Sequence, residues 1–413
     1  MSPVALNHCW LMNGTAMAKS ANAITVKRID SIDLLRGIVM ILMVLDHVRD
    51  YFHSTAFLYN PTDLTQTNPP LFLTRWITHY CAPVFIFLAG TSAYLYGLKK
   101  SRKQLSRFLF TRGLWFLLME VVFITFGWTF NPFYHMIILQ VIWAISVSMI
   151  VLSLLVYLPV KIIFYFGIVI VALHNLLDAV VVRQPGVWNT VWSLLHYQNL
   201  VPMGSRVIAV AYPVLPWTAV MALGYCLGTL YAPGYEAVKR KKMLIRMGWG
   251  AIALFVLIRL TNLYGDPVHW SIQKNAVFTL LSFINVSKYP PSLLYILVTL
   301  GPALLFLAYM ERPMNALERV ISVFGRVPFF FYFMHIYLIH LLAMVAAVAT
   351  GYKWSDMVLD NWVLFVPQLK GYGFDIIIVY IVVVLVLAIL YPLCKRFDRY
   401  KRSHSSSRWL SYL

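Results

Sequence analysis

Residues Ser31–His53 read SIDLLRGIVMILMVLDHVRDYFH, an apolar stretch that also carries charged residues and histidines. Its length matches the roughly 20 residues that an α-helix needs to cross the hydrocarbon core of a bilayer. Similar apolar runs recur along the whole chain. The predicted spans are 34–53, 75–98, 113–131, 136–158, 162–182, 207–231, 248–264, 290–309, 327–350 and 374–394. We therefore predict an all-α, polytopic membrane protein with about ten transmembrane helices.

The composition excludes a soluble globular protein. Of the 413 residues, 61% are hydrophobic and only 12% are charged, whereas soluble domains carry about 25% charged residues. Disordered chains are poor in apolar residues, so this class is excluded as well. The four cysteines are scattered along the sequence, which indicates neither a disulfide framework nor a zinc site.

The basic residues carry a topology signal. The chain has 34 Lys and Arg against 15 Asp and Glu, a net charge of +19. Most of the basic residues lie at the two ends of the chain and in the loops after the even-numbered spans. By the positive-inside rule, both termini are cytoplasmic, and we expect a multi-pass protein of the cytoplasmic (inner) membrane. The excess positive charge thus predicts a lipid bilayer, and no nucleic acid, as partner.

The chain divides into three predicted parts. Residues 1–26 lack the features of a signal peptide and are expected to form a disordered N-terminal tail, unless the start codon is placed too early. Residues 27–394 form the ten-span domain. Residues 395–413 are predicted to form a basic cytoplasmic C-terminal tail.

The first span carries a polar stripe. Arg36 and His47 are about three helical turns apart, which places them on one face of the helix about 16 Å from each other. Asp33 and Asp50 lie one turn from them, and Asp46 lies beside the stripe. Ionisable groups in a membrane span are costly and mark functional sites by default. Each residue alone could instead extend to the headgroups or lie in the membrane interface, an explanation that fits the whole stripe less well.

Other spans bring further histidines towards the same depth. The second span supplies Arg75 and His79 near its outer end, and the ninth supplies His335 and His340. Lys288 lies in the outer loop that opens the eighth span. The chain contains no zinc-binding motif such as H-E-x-x-H, so we expect no metal and favour an acid/base cluster. We predict that Arg75, His335, His340 and Lys288 bind substrate.

Two motifs resemble a known family. Residues 28–37 read RIDSIDLLRG and residues 83–90 read PVFIFLAG. They are similar to the R-x-x-S-x-D-x-x-R-G and P-x-F-x-F-x-x-G patterns that open the catalytic domain of the heparan-α-glucosaminide N-acetyltransferase family. Leu139-Gln140 resembles a short L-Q element of the same family. The most family-like part is about residues 28–145, and the chain lacks the large luminal domain of the lysosomal enzyme, as expected of a bacterial-type member.

The resemblance also indicates candidate catalytic residues. The spacing from Arg36 to His47 is similar to the R-x10-H element of broader membrane acyltransferases, in which the histidine is the candidate base. His53, in Tyr51-Phe52-His53, is the counterpart of the histidine in lysosomal members. This chain has Asp46 where the family has asparagine, and His79 where it has an acidic residue. We predict His47 as the leading base and His53 and His79 as the next candidates, with Asp46 or Asp50 orienting the base.

The resemblance implies acyl transfer from cytosolic acetyl-CoA to an amine or hydroxyl of an extracytoplasmic glycan or glycolipid. The phosphates of CoA need cations at the cytoplasmic end of the bundle. The candidates for this role are Arg36, Lys99, Lys100, Arg107, Arg112 and Arg326.

Alternative functions stay open at this stage. A secondary transporter or flippase-like carrier could use the same polar stripe, although such proteins usually contain inverted repeats and no convincing repeat is found. A catalytically inactive member of the family is a second alternative. The sequence also leaves open the identity of the acceptor, the choice between N- and O-acylation, the acyl chain, the choice between direct transfer and a covalent acyl-enzyme, and the formation of a homodimer.

Overall fold

The computed structural model describes residues 29–182, 184–404 and 410. The predicted N-terminal tail, residues 1–26, lies outside the described residues, as do residues 405–409 and 411–413 of the predicted C-terminal tail. The α-helices are α1 Asp30–Phe52, α2 Pro69–Ile77, α3 Cys81–Gly97, α4 Arg102–Leu118, α5 Thr125–Thr129, α6 Val141–Leu155, α7 Val160–Leu173, α8 Val187–Leu195, α9 Val214–Leu227, α10 Ala237–Thr261, α11 Ala276–Ile284, α12 Leu293–Tyr309, α13 Ala316–Arg326, α14 Pro328–Ala349 and α15 Ile376–Ser403.

Among the described residues, seven helical segments are long and apolar enough to cross a membrane. They are Pro69–Gly97, Arg102–Thr129, Val160–Ala179, Val214–Tyr231, Ala237–Thr261, Pro328–Ala349 and Ile376–Ser403. Two shorter apolar helices, α6 and α12, coincide with the fourth and eighth predicted spans, and α1 coincides with the first. The prediction of an all-α polytopic membrane protein is confirmed. The count of ten crossings and the cytoplasmic termini stay predictions.

Helix α1 lies in the interior of the bundle. It packs against α3, α12, α13, α14 and α15, and two of its apolar side chains, Met40 and Val44, are fully buried. The contact with α13 is unusually close at Gly37 and Gly325: a Cβ atom at Gly325 would lie 1.9 Å from the carbonyl oxygen of Asp33. Small residues allow membrane helices to approach in this way. The crossing brings Arg36 and Arg326, the neighbours of these glycines, to one end of the bundle.

The structure contains a small sheet, and the predicted starting points of two spans are corrected accordingly. Strands β1 Met136–Leu139, β2 Asn199–Met203 and β3 Arg206–Val210 form a sheet in the order β1-β3-β2. The predicted spans 136–158 and 207–231 therefore begin as strands, and their helices start only at Val141 and Val214. Strand pairing satisfies the backbone groups of these segments without a helix, as burial in an apolar environment requires.

An ordered loop precedes α12 and carries Lys288. The Asp266 carboxylate accepts hydrogen bonds from the Ser287 backbone N–H, at 2.8 Å, and from the Ser292 hydroxyl, at 2.6 Å. Ser292 also caps the N-terminus of α12. The loop is thus fixed at both ends, and it directs the Lys288 side chain into the interior, where only 6% of that side chain is exposed.

Candidate functional site

A cavity of about 270 Å³ lies at the end of the bundle that is predicted to face the cytoplasm. Its basic lining residues are Arg36, Arg112, Arg326 and Lys401. Its aromatic lining residues are Phe85, Tyr96, Phe108, Phe116 and Phe329. The combination of guanidinium groups with aromatic rings suits a ligand that carries both phosphates and a flat heterocycle.

The Arg36 side chain is held at the junction of α1 and α3. It donates hydrogen bonds to the carbonyl oxygen of Leu88, at 2.9 Å, and to the hydroxyl of Ser92. It also lies 3.7 Å from the Asp33 carboxylate. These contacts fix the guanidinium at the cavity wall, which disfavours the alternative that Arg36 only extends to lipid headgroups.

The structure brings together three of the six cations that were predicted to bind CoA. Arg36, Arg112 and Arg326 line the cavity, whereas Lys99, Lys100 and Arg107 are not among its lining residues. The sequence did not predict Lys401 as a cavity residue, because residues 395–413 are predicted to form a C-terminal tail. Helix α15 continues to Ser403 instead. The signal was present in the sequence, since no glycine or proline occurs between residues 393 and 403.

His47 is paired with His335 in the interior. Nδ1 of His47 lies 2.8 Å from Nε2 of His335, and Nδ1 of His335 lies 3.0 Å from the carbonyl oxygen of Phe331. A carbonyl oxygen only accepts, so Nδ1 of His335 carries the proton and its Nε2 is the acceptor. Nδ1–H of His47 then donates to His335. This arrangement leaves Nε2 of a neutral His47 with a lone pair, as a general base requires.

Aromatic rings enclose the histidine pair. The Trp128 ring meets His47 edge-on at 4.7 Å between centroids, and the Tyr332 ring does so at 6.3 Å. His335 is fully buried, whereas His47 keeps 8% of its surface exposed. His47 is therefore the accessible member of the pair.

Asp46, next to His47, is the centre of a charged cluster. Its carboxylate accepts hydrogen bonds from Arg49 at 2.7 Å, from Arg75 at 2.5 Å and from the Thr78 hydroxyl at 2.9 Å. The Lys288 ammonium lies 3.5 Å from the same group. The sequence interpretation missed Arg49, although its spacing of three residues from Asp46 is that of an ion pair on one helix face. The cluster contains the predicted substrate-binding residues Arg75 and Lys288.

Asp50 joins the same cluster through Arg49, whose guanidinium lies 2.6 Å from the Asp50 carboxylate. Asp46 and Asp50 thus contact basic groups. The hydrogen-bonding partner of the His47 ring is His335, and an orienting role for Asp46 or Asp50 stays a prediction. Unlike a carboxylate, His335 accepts the hydrogen bond without adding a negative charge.

The remaining candidate histidines have other contacts. Nδ1 of His53 lies 2.7 Å from the Thr55 hydroxyl and accepts from the Thr55 backbone N–H, so His53 caps a short 3₁₀ turn. The ring nitrogens of His340 lie 3.0 Å and 2.8 Å from the carbonyl oxygens of Gly127 and Met357. His340 therefore links α14 to two neighbouring segments.

His79 is buried near the Asp46 cluster. Its ring packs edge-on against Tyr295 at 5.4 Å, and its carbonyl oxygen accepts from the Tyr295 hydroxyl at 2.7 Å. Its Nδ1 atom is buried and has no hydrogen-bond partner among the described residues. His79 thus lies beside the charged cluster without a contact to the His47–His335 pair. In the part of the chain that the structure describes, no group of three His, Cys, Asp or Glu residues could hold a metal ion.

A comparison with protein families identifies the same region of the chain. The family model for heparan-alpha-glucosaminide N-acetyltransferase, catalytic, matches residues 28–261. The match includes Arg36, His47 and most of the Asp46 cluster, and it ends before α14, which supplies His335. No curated protein matches the chain. Because the family match covers more than half of the sequence, the chain belongs to the heparan-alpha-glucosaminide N-acetyltransferase catalytic family, as the motifs at residues 28–37 and 83–90 indicated.

Proposed function

We propose that this membrane protein transfers an acetyl or other short acyl group from cytosolic acyl-CoA to an amine or hydroxyl of an extracytoplasmic glycan or glycolipid. One observation carries the proposal. Helix α1 contributes Arg36 to a basic, aromatic-lined cavity at one end of the bundle, and it contributes His47 to a histidine pair about 16 Å further along. The acetyltransferase family to which the chain belongs supplies the reaction class.

The chemistry of the cavity supports CoA as the donor. Charge-assisted hydrogen bonds from Arg36, Arg112, Arg326 and Lys401 would neutralise its phosphates. Tyr96 and Phe108, whose rings stack at 4.2 Å, offer an aromatic surface for the adenine ring. The Arg112 guanidinium lies 5.7 Å from the centre of the Phe108 ring, so the cationic and aromatic parts of the cavity adjoin each other.

The distance from the cavity to the histidine pair suits the flexible arm of CoA. Phe116 and Phe329, which both line the cavity, stack at 4.8 Å. His335 follows Phe329 by six residues on α14, about 9 Å along the helix axis. An acyl thioester that passes this aromatic pair would therefore reach His47.

His47 is the proposed general base. Its Nε2 atom would take the proton of the acceptor amine or hydroxyl while Nδ1–H stays hydrogen-bonded to His335. His335 thus has a positioning role in this proposal. Catalysis by a positioned base contributes typically about 10²- to 10⁴-fold. His53 and His79 are the alternative bases, and neither contacts the histidine pair.

The Asp46 cluster is the proposed acceptor site. It adjoins His47 in sequence, and it contains Arg75 and Lys288, whose charged groups can bind the polar groups of a sugar. The outer loop that carries Lys288 would connect this cluster with the extracytoplasmic side. The proposed location is the inner membrane, with both termini in the cytoplasm.

A transfer assay tests the proposal. The purified protein in liposomes would be given radiolabelled acetyl-CoA together with amino sugars or hydroxyl sugars, and His47→Ala and His53→Ala would be compared with the wild type. We expect a labelled sugar product that His47→Ala reduces by at least about 10²-fold and that His53→Ala leaves in place. An absence of both acetyl-CoA binding and transfer would exclude the proposed reaction. An inactive His53→Ala with an active His47→Ala would instead overturn the choice of base.

A further inference from the structure

Two buried hydrogen-bond donors beside His47 have no acceptor. They are the indole N–H of Trp128 and the hydroxyl of Tyr332. The two groups approach each other, but neither atom has a partner in good hydrogen-bond geometry among the described residues. Trp128 is 3% exposed and Tyr332 is 1% exposed. Buried polar groups are nearly always paired in folded proteins, so unpaired donors point to a partner that binds there.

The two donors adjoin the proposed base from two different helices. The Trp128 ring, on α5, meets His47 at 73° between ring planes, and the Tyr332 ring, on α14, meets it at 78°. The backbone around Trp128 is fixed, because its carbonyl oxygen accepts a hydrogen bond from the Tyr51 hydroxyl at 2.5 Å. The backbone that carries the Trp128 indole is therefore held in position before any ligand binds.

Trp128 and Tyr332 lie beyond the end of the cavity that faces the interior of the bundle. Tyr332 follows the cavity residue Phe329 by three residues, which places both on one face of α14. Trp128 follows the cavity residue Phe116 by twelve residues along a helix that continues from α4 into α5.

A π segment explains how Trp128 comes to share the face of Phe116. In an uninterrupted α-helix, twelve residues would place the two side chains about 120° apart. The segment Met119–Ile124 is a π-helix, whose i→i+5 hydrogen bonds accommodate one extra residue per turn. One extra residue reduces the separation to about 20°. The irregular turn thus directs Trp128 towards the route from the cavity to His47.

We propose that Tyr332 and Trp128 form an oxyanion hole: the Tyr332 hydroxyl and the Trp128 N–H donate hydrogen bonds to the carbonyl oxygen of the acyl thioester. This inference rests on the proposed acyl transfer and names two residues that act in it. Donors aimed at a developing negative charge in a site that excludes water are among the strongest contributors to enzymatic rates.

The reaction step balances as follows. The lone pair of the acceptor nitrogen or oxygen forms a bond to the thioester carbonyl carbon, and the π electron pair of the carbonyl moves onto its oxygen, which Tyr332 and Trp128 stabilise. Nε2 of His47 takes the acceptor proton. When the carbonyl re-forms, the carbon–sulfur bond breaks, His47 returns the proton to the sulfur, and CoA leaves as the free thiol.

Infrared spectroscopy of bound acetyl-CoA tests this inference without an acceptor. The probe is acetyl-CoA with ¹³C at the carbonyl carbon, whose stretching frequency falls when the oxygen accepts hydrogen bonds. We expect a lower frequency on the wild-type protein than in water, with part of the shift lost in Tyr332→Phe and part in Trp128→Phe. Tyr231→Phe is the matched control, since the Tyr231 hydroxyl is also buried but lies near Ser31, at the end of the short 3₁₀ helix Gly228–Tyr231 that follows α9.

Transfer rates give a second measurement. With an accepted amino sugar, Tyr332→Phe is expected to lower kcat by about 10²- to 10³-fold while the KM for acetyl-CoA stays unchanged. If the wild type binds acetyl-CoA but both variants keep the wild-type carbonyl frequency, the inference is wrong and the proposed function survives. If the wild type binds no acetyl-CoA, the inference and the proposed function are both overturned.

Discussion

Nδ1 of His47 lies 2.8 Å from Nε2 of His335, although 288 positions separate the two residues in the chain. The contact joins α1 to α14 in the interior of the bundle. Because the other ring nitrogen of His335 faces a backbone carbonyl oxygen, the pair has one defined tautomer. In the proposed reaction, the second histidine therefore takes the part that a carboxylate takes in many acid/base sites, without placing a negative charge in an apolar environment.

Replacement of His335 tests this positioning role. His335→Phe keeps a planar ring but removes the acceptor for Nδ1–H of His47, so we expect kcat to fall by about 10²-fold and the KM for acetyl-CoA to stay unchanged. His335→Gln supplies an amide oxygen as acceptor and should recover part of the rate. Steady-state kinetics of the two variants measure the effect. A wild-type kcat in His335→Phe would show that the histidine pair has no role in transfer.

Loss of the carboxylate at position 46 should destabilise the fold. Asp46→Asn leaves Arg49, Arg75 and Lys288 close together in the interior, and breaking a buried ion pair on one side costs about 3–5 kcal/mol. Unfolding of the detergent-solubilised protein measures the loss. The control on the same helix is Asp30→Asn, because Asp30 is exposed.

A second substitution separates electrostatics from packing in this cluster. If repulsion among the cations is the cause, adding Lys288→Gln to Asp46→Asn should restore part of the lost stability, since the double variant has one positive charge fewer. An Asp46→Asn variant as stable as Asp30→Asn, or a double variant less stable than Asp46→Asn, would contradict this account.

The cavity cations should determine CoA affinity. Arg112→Gln and Lys401→Gln each remove a charge from the cavity wall, and a hydrogen bond to a charged group contributes about 1.5–3 kcal/mol. We therefore expect the Kd for CoA to rise by about 10- to 100-fold in titration calorimetry. Lys99→Gln is the control, since Lys99 is exposed and lies outside the cavity lining. A rise in Kd as large in Lys99→Gln as in the two cavity variants would indicate a diffuse electrostatic attraction in place of a defined site.

The sequence predicted the relationships that lie within one helix. The face shared by Arg36 and His47 follows from the period of the α-helix, and the apolar runs follow from the thickness of the bilayer. The two family motifs predicted the family. These features depend on local spacing, so they can be read from a single stretch such as Ser31–His53.

Contacts between helices could not be predicted in the same way. Helix α14 is apolar on nearly all sides, so its sequence does not indicate which face meets α1, and the pairing of His47 with His335 depends on that face. Lys288 reaches the Asp46 carboxylate only because Asp266 fixes the loop before α12. The strands before Val141 and Val214 form by pairing with one another, which no single apolar run reveals.

The orientation in the membrane stays a prediction with a direct test. Reporter fusions at residue 100, in the loop before α4, and at residue 404, after α15, should behave as cytoplasmic. Fusions at residue 270, after α10, should behave as external, because positively charged loops stay inside. Alkaline phosphatase and a fluorescent protein as paired reporters in a bacterial inner membrane measure this. An external reporter at residue 404 would show that the chain crosses the membrane an odd number of times or enters in the opposite direction.

The crossing of α1 and α13 should tolerate only glycine at position 325. An alanine Cβ there would lie 1.9 Å from the carbonyl oxygen of Asp33 and 2.6 Å from the backbone nitrogen of Gly37, and backbone atoms cannot move away as a flexible side chain would. We expect Gly325→Ala to lower the free energy of unfolding by about 1–3 kcal/mol. Because the crossing places Arg36 and Arg326 at the cavity, the variant should also weaken CoA binding.

Gly250→Ala provides the matched control for this prediction. Gly250 lies within α10, and no atom lies within 4 Å of the position that its Cβ would take. Alanine there should leave CoA binding unchanged and raise stability by up to about 1 kcal/mol, because it has the higher helix propensity. If Gly325→Ala were as stable as Gly250→Ala and bound CoA equally well, the close approach of α1 and α13 would not be what holds Arg36 and Arg326 at the cavity.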